Sequence, residues 1–154
     1  MSIELKEVDR SNFDAVVKLD VGESQRGFVA PNVNSIAEAK IYDNFHPRSI
    51  YAEGELVGFL MYGQDDGKTD DVWLIRLMIC KAYQGKGYGK AAMISVINEM
   101  KDLYNMDKVF LSFQPDNTLA QKLYEKLGFN YTGRVEHGEM VYCLELKNFV
   151  NQSN

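Results

Sequence analysis

The run Leu77-Met78-Ile79-Cys80-Lys81-Ala82-Tyr83-Gln84-Gly85-Lys86-Gly87-Tyr88-Gly89-Lys90-Ala91-Ala92-Met93 decides the fold. Its first residues end a long strand that starts at Asp71 and from Val72 on is apolar on both faces except at Arg76. A strand apolar on both faces belongs in the middle of a sheet. Its last residues open a helix that carries Met93, Ile97, Met100 and Tyr104 along one face. Between the two, Gly85, Gly87 and Gly89 alternate. Glycine lets backbone come close to a ligand, and turned-in amides form an anion nest. The helix N-terminus adds unsatisfied N–H groups and the positive end of its dipole. With Lys86 and Lys90 beside them, residues Gln84 to Lys90 suit a pyrophosphate. The spacing is not the Gly-x-Gly-x-x-Gly of a dinucleotide fold, nor does it end as a Walker loop does. A sharp strand-to-helix turn without a ligand would use the same glycines.

Upstream of this run, Ile3, Leu5 and Val8 mark an edge strand. Ser11 is expected to cap a first helix with Phe13, Val16 and Val17 on its apolar stripe. Residues 21–34 are irregular, and Ser35 to Glu38 reads as the capping box of a second helix. Ser49 to Ala52 and Leu56 to Tyr62 form a hairpin about Gly54. A second turn falls at Asp65-Asp66-Gly67-Lys68. Downstream, Val109 to Phe113 is a buried strand, and Asp116 or Asn117 caps a helix that closes at Gly128. Phe129 to Val135 and Glu139 to Leu146 make a closing antiparallel hairpin. The expected architecture is a mixed α/β (α+β) domain over residues 1–147, with a polar tail at 148–154.

The whole chain agrees with one globular domain. Its 154 residues can bury a real core. No stretch approaches the ~20 apolar residues that cross a membrane, and the N-terminus lacks the apolar run of a secretory signal. A cytoplasmic protein is expected. A net charge of −5 offers no basic face for nucleic acid. Cys80, Cys143, His46 and His137 are scattered, so no metal site is expected.

Gln84-Gly85-Lys86-Gly87-Tyr88-Gly89 resembles the Q/R-x-x-G-x-G/A motif of the GNAT acetyltransferase superfamily. Leu77 to Ile79 stands at that family's distance upstream. Asn117, then Leu123-Tyr124-Glu125-Lys126-Leu127-Gly128-Phe129, is similar to its downstream segment, and the element order agrees from residue 2 to 146. The resemblance implies a central, mostly antiparallel sheet with helices on both faces, and acetyl-coenzyme A as cosubstrate. It implies that backbone at Leu77, Met78 and Ile79 holds the pantetheine arm, that the 84–90 turn holds the pyrophosphate, and that Asn117 and Lys126 also contact the cofactor.

Acyl transfer to an amine needs a polarised carbonyl, a neutral amine and a protonated leaving thiolate. The N–H of Met78 or Ile79 is the candidate for the first. Tyr124, at the family's tyrosine position, is the candidate acid for the third. The family's glutamate base, three residues before the Leu77 position, is replaced by Leu74. Asp71, Glu23 or a water chain could take its place. Cys80 has no histidine placed to activate it, so direct attack in a ternary complex is expected.

Within the family, Tyr51 to Phe59 and Val72 to Leu74 are similar to bacterial spermine/spermidine acetyltransferases. That likeness implies a polyamine such as spermine or spermidine as acceptor, and its charges call for carboxylates along a groove, with Glu23, Asp71 and the neighbouring Gln25 as the candidate binding residues. A peptide, protein N-terminus or aminoglycoside acceptor, and a non-catalytic coenzyme A-binding module, are the alternatives. A homodimer through the closing hairpin is also compatible.

Overall fold

The computed structural model describes residues 2–65 and 69–149. The turn expected at 65–68 and the tail expected at 148–154 fall largely outside them. Seven strands form one sheet: β1 (Ile3–Glu7), β2 (Phe45–Ala52), β3 (Glu55–Gln64), β4 (Val72–Ile79), β5 (Lys108–Phe113), β6 (Asn130–Glu136) and β7 (Glu139–Glu145). Their order is β1-β2-β3-β4-β5-β7-β6, so the apolar strand β4 is central, as its composition predicts. Every neighbouring pair is antiparallel except β4 and β5.

Helices cover both faces. On one lie α3 (Tyr88–Leu103) and α4 (Thr118–Lys126). Ala92, Met93, Val96, Ile97 and Met100 of α3 pack with Leu60, Leu74, Leu111 and Leu144 of the sheet. Burying each large side chain there contributes about 2 kcal/mol relative to exposure. On the other face lie α1 (Phe13–Lys18) and α2 (Asn32–Ile41), where Val16 packs with Phe59, Met61 and Met78. Phe149 also packs on the larger core.

The helix starts differ from the expected ones. Asn12, not Ser11, precedes α1, and its side chain ties Glu7 O and Ser49 Oγ rather than capping the helix. Ser35 does not open α2. Pro31 precedes it in extended backbone, and Ser35 is fully buried within the helix. Two-residue turns, Glu53-Gly54 and His137-Gly138, close their hairpins with positive φ at both positions, the geometry that matches strand twist. Gly58 lets β3 and β4 approach: a Cβ there would lie 2.4 Å from Met78 O.

A polar group sits beneath β2 and β3. Glu99 of α3 accepts a hydrogen bond from the Tyr62 hydroxyl and pairs with Arg48 at 3.0 Å. The His46 ring lies 5.2 Å from Tyr62 and 6.5 Å from Tyr104. Burial, with Arg48 nearby, pulls the His46 pKa below its ordinary value.

Candidate functional site

The site begins with one unpaired residue. Arg76 pairs with Met61, and Leu74 pairs with the next residue, Tyr62, so Ile75 has no partner on β3. Such a bulge bends its strand and raises the local twist. The Arg76 guanidinium donates to Ile75 O at 3.0 Å, satisfying a carbonyl at the kink, and pairs with Glu38 of α2 at 3.2 Å. β4 and β5 are paired only before this point, at Val72–Val109 and Trp73–Phe110, where Trp73 stacks on Phe110 with ring centres 5.4 Å apart. Beyond Trp73 the strands part. A cleft of about 650 Å³ opens between them, in the size range of small-molecule sites. Every second amide on that edge of β4 has lost its β5 acceptor, so polar backbone faces the cleft.

At the α3 end the cleft meets the glycine turn. Gly85 and Gly87 have φ of 79° and 84°, a region costly for any residue with a Cβ. Gly87 precedes α3 without a side-chain cap, and no hydrogen bond within the described chain uses the amides of residues 85–90. These donors, with the dipole of a 16-residue helix, fit a pyrophosphate. Asn117 stands across from them as the cap of α4. Its Oδ1 accepts from Ala120 N at 3.2 Å, and the residue lines the cleft.

Tyr124 forms part of the cleft wall on the α3/α4 side and is 8% exposed. The rings of Phe113 and Phe129 hold it at 5.7 and 5.8 Å. Its hydroxyl has no hydrogen-bond partner in the described chain. Burial raises its pKa, so the phenol keeps its proton well past neutrality.

Most of the expected residues come together here. Leu77, Met78 and Ile79, the turn apart from Lys86 and Lys90, Asn117, Tyr124 and Gln25 all line the cleft. Others do not. Lys86, Lys90 and Lys126 are exposed and outside the lining, with Lys86 Nζ 5.7 Å from the Tyr83 ring centre. Gln84 lines the cleft but turns its side chain into the fold, donating to Ile79 O at 2.8 Å and Val21 O at 3.2 Å. Glu23 is exposed and lies outside the lining. Asp71 precedes β4, at the paired end where the sheet is closed, and its carbonyl accepts from Asp65 N. Glu23 and Asp71 are the carboxylates expected along an amine groove, and neither lines the cleft.

Residues that sequence reasoning passed over do reach it: Arg76, Ser112, His137 and Glu139. Ser112 Oγ donates to Glu139 Oε1 at 2.7 Å, joining β5 to the start of β7. The only local signal was a lone hydroxyl within Val109-Phe110-Leu111-Ser112-Phe113. Among the described residues no three His, Cys, Asp or Glu side chains gather as a metal site, and no helix is long and apolar enough to cross a membrane.

Comparisons with known proteins bear on the family and the fold. The protein-family model described as "Acetyltransferase (GNAT) family" matches residues 14–129. The spermine/spermidine N(1)-acetyltransferase of Bacillus subtilis (strain 168) is 36% identical over 152 residues, covering 95% of this chain and 100% of the relative. In fold, the chain is similar to a PaiA N-acetyltransferase from Thermoplasma acidophilum in complex with coenzyme A (TM-score 0.72, 16% identity, 94% of this chain and 99% of that one). It is also similar to an aminoglycoside acetyltransferase in complex with coenzyme A (TM-score 0.78, 16% identity, 95% and 96%).

Proposed function

The chain belongs to the GNAT family of acetyltransferases and is an acetyl-coenzyme A-dependent N-acetyltransferase, and from that premise we propose that its acceptor is a polyamine such as spermine or spermidine. The observation that carries the substrate class is the 36% identity to a spermine/spermidine enzyme along its whole length. The acetyl thioester supplies the activated acyl group. The amides of residues 85–90 bind its pyrophosphate, Asn117 adds a donor, and the open edge of β4 at Leu77, Met78 and Ile79 aligns the pantetheine arm. The N–H of Met78 or Ile79 polarises the carbonyl. Tyr124 protonates the departing thiolate, a role suited to a phenol held in its acid form. Lys86, Lys90 and Lys126 are exposed outside the cleft, and their long side chains add charge around the phosphates from there. Gln25 contributes to the acceptor wall, and the amine attacks directly, without an acyl-enzyme. The free edge β6, exposed along its length, is where a homodimer would pair.

Thiol release from acetyl-coenzyme A tests this with spermine, spermidine, a lysine peptide and an aminoglycoside as acceptors. Turnover on the polyamines is expected to dominate. Turnover confined to the peptide or the aminoglycoside would overturn the substrate class. Cofactor binding with no turnover on any amine would leave a binding module.

A further inference from the structure

We propose that Glu139, steadied by Ser112, is the carboxylate that receives the acceptor's ammonium group and takes its proton before attack. This rests on the reading of the chain as an amine acetyltransferase.

The chemistry demands such a group. An alkylammonium with a pKa of ~10 is neutral in only about one molecule in a thousand at pH 7. Leu74 stands where the family's strand carboxylate would be. Among the described residues lining the cleft, Glu139 is the only carboxylate. Glu38 lies near the cleft but is already paired with Arg76.

Strand register places Glu139 on the acceptor side. Ser112 pairs with Val141 and Phe113 with Met140, so Glu139 follows just beyond the end of β5. Alternation along the strands puts Glu139, Val141 and Ser112 on one face. Phe113 and Tyr142 point to the other, with rings 4.8 Å apart, and Tyr124 packs there with Phe113. Tyr124 and Glu139 therefore approach the cleft from opposite faces of the sheet, with the parted strands between them. An amine held at Glu139 on one face can add to a thioester carbonyl lying in the cleft while the sulfur stays within reach of Tyr124 on the other. Ser112 occupies Oε1 alone, and no other hydrogen bond to the Glu139 carboxylate is made in the described chain, so Oε2 remains available to the ammonium.

The step balances. The ammonium gives one proton to Glu139 Oε2, and the nitrogen lone pair forms the C–N bond to the acetyl carbon. The C–S bond breaks with its electron pair on sulfur. Tyr124 gives sulfur a proton and regains one from water, while the nitrogen loses its second proton to water. The products are the N-acetyl amide, the free thiol and one proton on Glu139, which passes to water.

The test is kcat/KM for spermidine between pH 6 and 10 in wild type, Glu139→Gln, Ser112→Ala and His137→Asn. Coenzyme A affinity, measured by calorimetry, reports that each variant is folded with its cofactor half intact. Glu139→Gln is expected to keep that affinity within about twofold and to lose about 100-fold at pH 7, the scale of a general base. The loss shrinks as pH rises toward the amine pKa, because a neutral amine needs no base. Ser112→Ala is expected to lose less, about 3-fold to 10-fold, as a positioning residue. Glu139→Gln within threefold of wild type at pH 7 overturns the proposal. So does a loss that is equal at every pH, or the pH-recoverable loss appearing in His137→Asn instead. Absence of amine turnover in wild type is a separate result: it removes the enzyme reading and this role with it.

Discussion

Gln25 and Gln84 lie amide to amide, 59 residues apart in sequence, with Gln25 Nε2 2.9 Å from Gln84 Oε1. Gln84 Nε2 donates in turn to Val21 O and Ile79 O. One side chain thus fastens the loop after α1 to the end of β4. Gln84→Ala leaves those carbonyls without their donor, at a cost of about 1–3 kcal/mol. For a domain of this size that lowers Tm by roughly 2–4 °C per kcal/mol. Thermal melts are expected to show it, together with a raised amine KM, while Gln25→Ala raises the KM with a smaller change in Tm.

Tyr124→Phe separates chemistry from folding. The hydroxyl has no partner in the described chain, so its removal is expected to leave Tm within about 2 °C and coenzyme A affinity within about twofold, since no protein hydrogen bond is broken. kcat is expected to fall about 100-fold, the usual size of a lost general acid. A variant that turns over at the wild-type rate would assign the acid to another group.

Two glycines fail for different reasons when given a methyl group. At Gly58 the added Cβ meets a backbone carbonyl at 2.4 Å, and backbone cannot yield as a side-chain tip does. Gly58→Ala is expected to cost about 3 kcal/mol through overpacking, visible in chemical denaturation. At Gly85 nothing lies within 4 Å, and only the positive φ resists. Gly85→Ala is expected to cost about 1–2 kcal/mol and to weaken coenzyme A binding in calorimetry.

His46 sets part of the acid limit of stability. Its folded pKa is lowered from 6.5, first by burial and then by Arg48, with Glu99 opposing. The unfolded chain therefore takes up the proton first as pH falls. The stabilisation is present above pH 6.5 and is lost below it. His46→Phe keeps an aromatic ring against Tyr62 and Tyr104 without a proton to gain. Its Tm is expected to fall less than that of wild type between pH 7 and pH 5, and parallel curves would show that His46 is not responsible.

The sequence made the sheet, the two helical layers and the anion turn legible, because each rests on local spacing: the apolar run of β4, the 3.6-residue stripe of α3, the alternating glycines. It did not reveal the bulge. An unbroken run such as Val72-Trp73-Leu74-Ile75 has no period, so an extra residue leaves no mark. The helix caps at Ser11 and Ser35 were misplaced because a serine before an apolar stripe has the same composition whether it caps, stands exposed one residue early as Ser11 does, or is buried within the helix as Ser35 is. Glu139 was missed for a different reason. Its partner Ser112 is 27 residues away, and only the register of β5 on β7 brings them together.

Counting along β4 gives a last consequence. Leu74 and Leu77 belong to the α3/α4 core, while Ile75 and Met78 face α1 and α2, and Arg76 reaches α2 through Glu38. Two successive residues, Ile75 and Arg76, therefore share a side, and the strand has one residue more than its alternation requires. Deleting Ile75 would leave every remaining side chain of β4 on its present face, now in strict in-out order, and β4 would be free to zip against β5 through Leu111 and Phe113. Such a chain would be more regular than its parent and would have nowhere to put a cofactor. The opening between β4 and β5 thus goes with a single extra residue in β4.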